Sequence, residues 1–421
     1  MPAAESRIPS LDVLRGLAIL GILLINLPGF GTYYAAFFGD PRLAGWSPAD
    51  AATWQALELL VEGTQRGLLQ FLFGAGVLIL AAWAMHDDGP VAVADRYYRR
   101  NLWLLVFGLV NIFVLLFPGD ILFIYAIAAL ALFPFRRLAP ATLLVLGLGF
   151  AVVDGGLGAA RYLERSELQA QVQAGDAEAT ASWAELQEEM MPDRGFMAYD
   201  KATRLGPYDG FAAYARTIWL EERAYTGEVF FVSVPEAFCA MLLGMALFKW
   251  GFFTGGRSPR TLLLLMLAAY ALALPLRAID VAQHLRQTPE PQLAWMTEEI
   301  ARLALTFGHL CLACLLLSFD WGARLLAPFK AAGRTAFSLY LMQTLIAGWL
   351  IFPGIGLGWF GRYGWAGMTV IALAIIAFQV LLANLWLRGF AMGPVEWLWR
   401  SLVEWRRLPF RRAAQPPPAS A

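Results

Sequence analysis

Ten apolar stretches decide what this chain can become: residues 11–29, 63–85, 98–117, 119–135, 139–157, 229–250, 260–284, 298–318, 332–352 and 365–388. A helix needs about 20 mostly apolar residues to cross the hydrocarbon core of a bilayer. Lipid offers backbone groups no partners, so each crossing must satisfy its own hydrogen bonds. The sequence therefore predicts an all-α polytopic bundle of about ten transmembrane helices. Only 15% of residues are charged, against about 25% in soluble proteins. Formal net charge is zero, so nothing in the balance points to nucleic acid. The three cysteines, Cys239, Cys311 and Cys314, sit inside apolar runs and read as packing residues, not as a disulfide framework or metal site. The first stretch follows a short segment whose polar residues are Glu5, Ser6, Arg7 and Ser10, and it lacks a clean small-residue cleavage site, so it is expected to stay as an anchor.

Orientation follows from Lys and Arg, which collect on the cytoplasmic side of spans. With the N-terminus inside, the inner segments carry eighteen of them and the short outer segments five, the latter counting Arg277 and Arg302. Both termini are thus expected in the cytoplasm and the protein in the cell (inner) membrane. Four regions follow. Residues 1–157 form a five-span half, with a shorter interfacial helix at about 48–61. Residues 158–228 form an acidic external segment, helical at about 161–191 and 208–225, that would cap an outer opening. Residues 229–388 form a second five-span half. Residues 389–421 begin with an amphipathic surface helix to 405, bearing Trp397, Trp399 and Trp405, and end in a tail expected to be disordered from Pro409. No internal repeat links the halves.

A polar group inside a span is costly and therefore a functional candidate. The first span carries Asp12, Arg15 and Asn26. Glu58, Glu62, Arg66 and Gln70 recur every four residues, which predicts one helix face and an ion pair between Glu62 and Arg66. Neighbouring carboxylates at 58 and 62 suit general acid–base work. The small residues of Leu72-Phe-Gly-Ala-Gly76 permit close helix approach. They are not a phosphate loop, since no strand precedes them and no Lys-Ser/Thr follows. Glu236, after Pro235, is placed to face a cavity from the outer side. Arg277, Asp280 and His284 share a face but lack a serine for a triad. Arg334 and Gln343 bracket an inner-end segment, where Arg334 suits contact with a cytoplasmic anion.

Four blocks together resemble the YeiB-like membrane proteins, the family of domain of unknown function 418. They are Arg7-Ile-Pro-Ser-Leu-Asp-Val-Leu-Arg-Gly-Leu-Ala-Ile-Leu-Gly-Ile-Leu-Leu-Ile-Asn26, Arg66-Gly-Leu-Leu-Gln-Phe-Leu-Phe-Gly-Ala-Gly76, Gly333-Arg-Thr-Ala-Phe-Ser-Leu-Tyr-Leu-Met-Gln343 and Gly393-Pro-Val-Glu-Trp-Leu-Trp-Arg400. That family in turn is similar to the transmembrane acyltransferases, which move an acyl group from cytoplasmic acyl-CoA to an acceptor across the membrane. The resemblance maps the Leu-Asp-x-Leu-Arg-Gly opening onto Leu11, Asp12, Leu14, Arg15 and Gly16. It puts Asn26 where the sugar O-acetyltransferases carry a histidine, and residues 27–57 contain none.

The resemblance implies a division of labour. Glu62 acts as base, Arg66 holds it, and Asn26 bonds the developing oxyanion. Asp12, Arg15, Glu58, Glu236, Arg334 and Gln343 are binding residues, with acyl-CoA phosphates near Arg334 and Arg15. The acceptor is a small amine or alcohol, a glycan or lipid among them, and no metal is required. Small-residue faces would allow a homodimer in the lipid bilayer. The alternative reading is a transporter or lipid-handling protein that uses the same polar cavity.

Overall fold

Prolines open many of the helices, because a missing N–H costs nothing in a helix's first turn. The computed structural model describes residues 8–81 and 91–412. Proline starts α1 (Pro9–Gly31), α2 (Pro48–Leu60), α6 (Pro140–Gln173), α11 (Pro259–His284) and α16 (Pro394–Val403). Ser47 and Asp50 form a reciprocal capping box at α2, and Ser258 caps α11 by accepting from the Thr261 N–H. The remaining α-helices of ten residues or more are α3 (Thr64–Ala81), α4 (Val91–Phe113), α5 (Leu122–Leu132), α7 (Ala177–Glu189), α8 (Arg194–Leu205), α9 (Tyr208–Thr217), α10 (Val234–Lys249), α12 (Ala294–Leu317), α13 (Asp320–Arg334), α14 (Ala336–Leu345) and α15 (Trp365–Gly389). Among the described residues the fold is all-α, with no strand longer than one isolated bridge between Phe390 and Arg411.

Seven of the ten expected spans coincide with helices long and apolar enough to cross a membrane. The other three, 98–117, 119–135 and 332–352, do not. Charges at Arg96, Arg99 and Arg100 interrupt the start of α4, α5 is only 11 residues, and α14 is 10 residues followed by a π-helical turn at Ile346–Ile351. The end of the second expected span, 82–85, lies outside the described residues. The helix α6 is 34 residues, or about 51 Å at 1.5 Å per residue. That exceeds a hydrocarbon core of about 30 Å, so its C-terminal part, charged from Arg161 onward, stands clear of it. The expected helix 161–191 is broken at Gly175 (φ +83°) and Asp176 caps the next helix.

Glycines set the closest helix crossings. A Cβ on Gly74 of α3 would run into the Met241 backbone of α10, and one on Gly244 would run into the Phe71 backbone. Gly16 and Gly333 make the same reciprocal contact between α1 and α13. Of the small residues 74 to 76, Gly74 makes the close crossing and Ala75 is buried, whereas Gly76 faces open space. The amphipathic helix is shorter than the expected 389–405, and Glu396 anchors it. The carboxylate of Glu396 accepts from the Phe337 and Ser338 N–H groups (2.7 and 3.1 Å), capping α14 from another helix. The tail is ordered further than expected: Ala391 N–H donates to Phe410 O, and Arg412 N–H to Gly389 O. Residues 413–421 lie outside the described region.

Candidate functional site

The expected single face carrying Glu58, Glu62, Arg66 and Gln70 does not form. The helix ends at Leu60, the chain turns through Gly63 (φ +70°), and α3 begins at Thr64. A positive φ is cheap only for glycine, which is why the break falls there. Spacing of four carries no facing information across such a turn. Gln70 and Arg66 therefore share α3, while Glu62 lies on the turn and Glu58 remains on α2.

Glu62, Arg66 and Gln70, but not Glu58, meet a cavity of about 440 Å³ at the end of the bundle that also bears residues 158–228. Asn26 comes from α1, Glu62 from the turn, Arg66 and Gln70 from α3, Tyr125 from α5 and Glu236 from α10. Arg204, Tyr214, Arg223 and Glu228 come from the 158–228 segment, and Phe30, Phe117, Phe211 and Phe360 supply apolar walls. Three π-helical stretches, Ile218–Tyr225, Glu228–Ser233 and Ile346–Ile351, each give lining residues. Such turns recur at functional sites, because the wider turn re-aims side chains.

One wall of the cavity is a closed ionic network. Glu236 receives Arg66 at 3.3 Å and Arg302 at 3.1 Å. Arg302 also grips Glu299 through two 2.7 Å hydrogen bonds, from Nε and from Nη2. Gln70 bridges the set: its amide donates to Glu236 at 2.9 Å and its carbonyl accepts from Arg302 at 3.2 Å. The Arg66 carbonyl is taken by the Tyr125 hydroxyl at 2.9 Å. Buried charges are tolerable only when paired and hydrogen-bonded, and these are. The glycines place them: Gly63 and Gly67 make room for the Arg302 side chain, and the Gly74–Gly244 crossing brings Gln70 against Glu236.

The expected Glu62–Arg66 pair is thus replaced by Arg66–Glu236. Among the described residues the Glu62 carboxylate makes no hydrogen bond or ion pair, and neither the Asn26 nor the Gln65 side chain makes a hydrogen bond. All three line the cavity. The network spends its polar groups internally, while these three present theirs to whatever enters.

The outer wall has its own fixed arginines. Arg204 pairs with Asp200 at 2.7 Å, donates to Gly29 O at 3.2 Å, and lies over the Tyr214 and Phe360 rings. Burial would lower the Arg204 pKa, but Asp200 and Tyr214 outweigh it and raise it, so the group stays cationic. Arg223 pairs with Glu228 at 2.9 Å and donates to Pro118 O at 2.8 Å. The Ser233 hydroxyl donates to Glu228.

Five expected binding residues lie away from the cavity. Asp12 and Arg15 pair at 3.3 Å lower on α1; Arg15 is eleven residues, about 16 Å, from Asn26. Glu58 sits on α2, where its carbonyl accepts from Arg277 at 2.5 Å. Arg334 donates to Ala391 O at 2.9 Å, which fixes the start of α16. Gln343 donates to Ile19 O and to Gln379, both at 3.0 Å, joining α1, α14 and α15. Arg277 and Arg302, counted with the outer charges, are 2% and 3% exposed and belong to the helix interior. Removing them sharpens the inner bias. Glu299 and Arg302, three residues apart on α12, and Arg204 and Arg223 are missed by the sequence reading, because no spacing joins them to Asn26, Arg66 or Glu236. Among the described residues no three His, Cys, Asp or Glu side chains converge to hold a metal.

A family model described as "Protein of unknown function (DUF418)" matches residues 247–406. The uncharacterized protein YxaH of Bacillus subtilis (strain 168) is 30% identical over 410 residues, covering 94% of each chain. The chain belongs to the DUF418 family. The uncharacterized protein YeiB of Escherichia coli (strain K12) is 28% identical over 402 residues, covering 94% of this chain and 95% of its own. The DUF418 match covers α11 to α16 with Arg302 and Gln343, whereas Asn26, Glu62, Arg66 and Glu236 precede it. The likeness to YxaH and YeiB runs through both parts.

Proposed function

We propose that this DUF418 protein is a membrane acyltransferase that carries an acyl group from cytoplasmic acyl-CoA to an amine or hydroxyl acceptor seated in the cavity. The observation that supports it is the pair of unspent groups, Asn26 and Glu62, beside an ionic wall that keeps Arg66 elsewhere. In this reading the Glu62 carboxylate takes the acceptor's proton as its lone pair attacks the thioester carbonyl carbon. The Asn26 side-chain N–H donates to the oxyanion that develops. The tetrahedral intermediate then collapses, the C–S bond breaks, and the CoA thiolate leaves and recovers the proton from Glu62. A positioned base contributes about 10²–10⁴ in rate, and an oxyanion donor about 10²–10³. Arg66 does not hold Glu62; it completes the wall against which an acceptor rests.

The phenylalanine walls suit an acceptor with an apolar body, such as a lipid or a hydrophobically substituted sugar. Both termini face the cytoplasm of the inner membrane in this reading, so the cavity opens toward the far side. Apolar walls beside a charged one also suit a carrier of amphiphilic solutes or lipids, the second reading.

The test is purified protein in nanodiscs given acetyl-CoA with amine, sugar and lipid acceptors, followed by release of free thiol. Acyl transfer that Glu62→Gln abolishes is expected. Full turnover in that variant removes Glu62 from the reaction. No turnover, no stabilisation by CoA, and stabilisation by a solute or lipid would replace the enzyme with the carrier.

A further inference from the structure

Each cation that lines the cavity has a carboxylate in ion-pair reach. Arg66 has Glu236 at 3.3 Å, Arg204 has Asp200 at 2.7 Å and Arg223 has Glu228 at 2.9 Å. The lining carboxylates are Glu62, Glu228 and Glu236, and among the described residues Glu62 alone of these forms no ion pair. A carboxylate that faces apolar walls without a counter-charge is costly, and a cation brought by the ligand removes that cost. Asn26 and Gln65 line the same space with amides that make no hydrogen bond among the described residues. Gln65 packs against α1, where a Cβ on Gly21 would come within 2.8 Å of its side-chain amide carbon. A primary ammonium carries three N–H donors and no acceptor, so carboxylate and amide oxygens are the partners it needs. A carboxylate or phosphate entering here would find every lining cation already engaged.

The opposing surface is aromatic. Phe30 stacks on Phe117 with ring centres 4.6 Å apart, and Tyr34 and Phe37 flank Phe38 at 4.6 and 4.8 Å. All five line the cavity, and Phe38 is also 63% exposed, so the apolar wall runs out to the surface. The π-helical turn Glu228–Ser233 opens the apolar helix that continues to Lys249. Its Glu228 and Ser233 line the cavity, while its Phe230 and Phe231 are 49% and 81% exposed. One turn of chain therefore stands between the cavity and an apolar outer face that suits lipid. A space with one charged side and an aromatic side continuous with the outer surface has the polarity pattern of an amphiphile.

We propose that the cavity receives a membrane amphiphile headed by a primary ammonium, with the ammonium on Glu62 and the alkyl chain along the phenylalanine wall. Taking the cavity as the acceptor's seat rests on the acyltransferase reading, and this ligand narrows the acceptor from amines and alcohols to long-chain amines. Its binding requires no acyl donor.

The experiment uses the full chain in phosphatidylcholine nanodiscs, at neutral pH and without acyl-CoA. The probes are dodecylamine, dodecanol, dodecanoate and butylamine, and the readout is the concentration that gives half of the rise in Tm. Dodecylamine is expected to act at a concentration at least about tenfold below each of the other three, the effect of one charge-assisted hydrogen bond or of a buried chain. Glu62→Gln is expected to remove its advantage over dodecanol. No rise with dodecylamine, an advantage below tenfold over any of the three, or an amine preference that survives Glu62→Gln overturns the proposal. The order of the four probes on the wild type decides the matter even should Glu62→Gln not fold. Failure of acyl transfer with every acceptor leaves an amine preference standing and removes only the enzyme. Transfer to an alcohol, with no amine preference in binding, keeps the enzyme and overturns the ammonium ligand.

Discussion

The Arg66 guanidinium lies 3.3 Å from the Glu236 carboxylate, joining α3 of the first half of the chain to α10 of the second. Glu236 also holds Arg302, so one carboxylate faces two cations, Arg302 buried and Arg66 partly open to the cavity. Glu236→Ala leaves Arg66 without its carboxylate and Arg302 with Glu299 alone, and is expected to cost about 3–5 kcal/mol. Thermal unfolding in detergent checks this. Glu62→Gln, which breaks no pair, should melt close to wild type, and equal melting of the two variants would refute the assignment.

The glycine crossing beneath that pair makes a sharper comparison. Gly74→Ala and Gly244→Ala each drive a methyl into the facing backbone. Each is expected to lose about 1–3 kcal/mol or more, with lower yield of monodisperse protein. Gly76→Ala, two residues away, meets open space and should behave as wild type. The readout is the fraction that remains folded after mild heating.

How far the sequence could be read follows from these cases. The apolar runs announce a helical membrane protein because their length answers directly to bilayer thickness. Asn26, Glu62, Arg66, Gln70 and Glu236 are legible as polar residues in costly places, and the fold brings all five to one cavity. Their partners are not legible. The turn at Gly63 cancels the four-residue spacing, so Arg66 turns to Glu236 instead of Glu62. Arg302 reads as a loop charge until tertiary packing buries it. Arg204 and Arg223 arrive from the 158–228 segment, expected as a cap, but no spacing within it marks these two as lining the cavity. The π-helical turns leave no mark in composition.

Asn26 offers a test that separates chemistry from stability. Asn26→Ala is expected to lower kcat by about 10²–10³ while leaving the melting temperature nearly unchanged, because its side chain makes no hydrogen bond within the described residues. Steady-state kinetics with saturating acyl-CoA checks it. A rise in KM alone would make Asn26 a binding residue only.

Glu396 is expected to be structural. Its loss uncaps α14 and frees α16, so Glu396→Ala should cost about 0.5–2 kcal/mol, the range for a helix cap. Limited trypsin digestion should then cut sooner at Arg400, Arg406 and Arg407. Unchanged digestion would show that α16 is held by its tryptophans instead.

The quartet of Arg66, Arg302, Glu236 and Glu299 sums to no charge. An electric field across the membrane does work only on net charge that moves, about 2.3 kcal/mol per charge per 100 mV. The quartet therefore gives membrane voltage nothing to pull on, and any voltage sensitivity of this protein must come from charges other than these four.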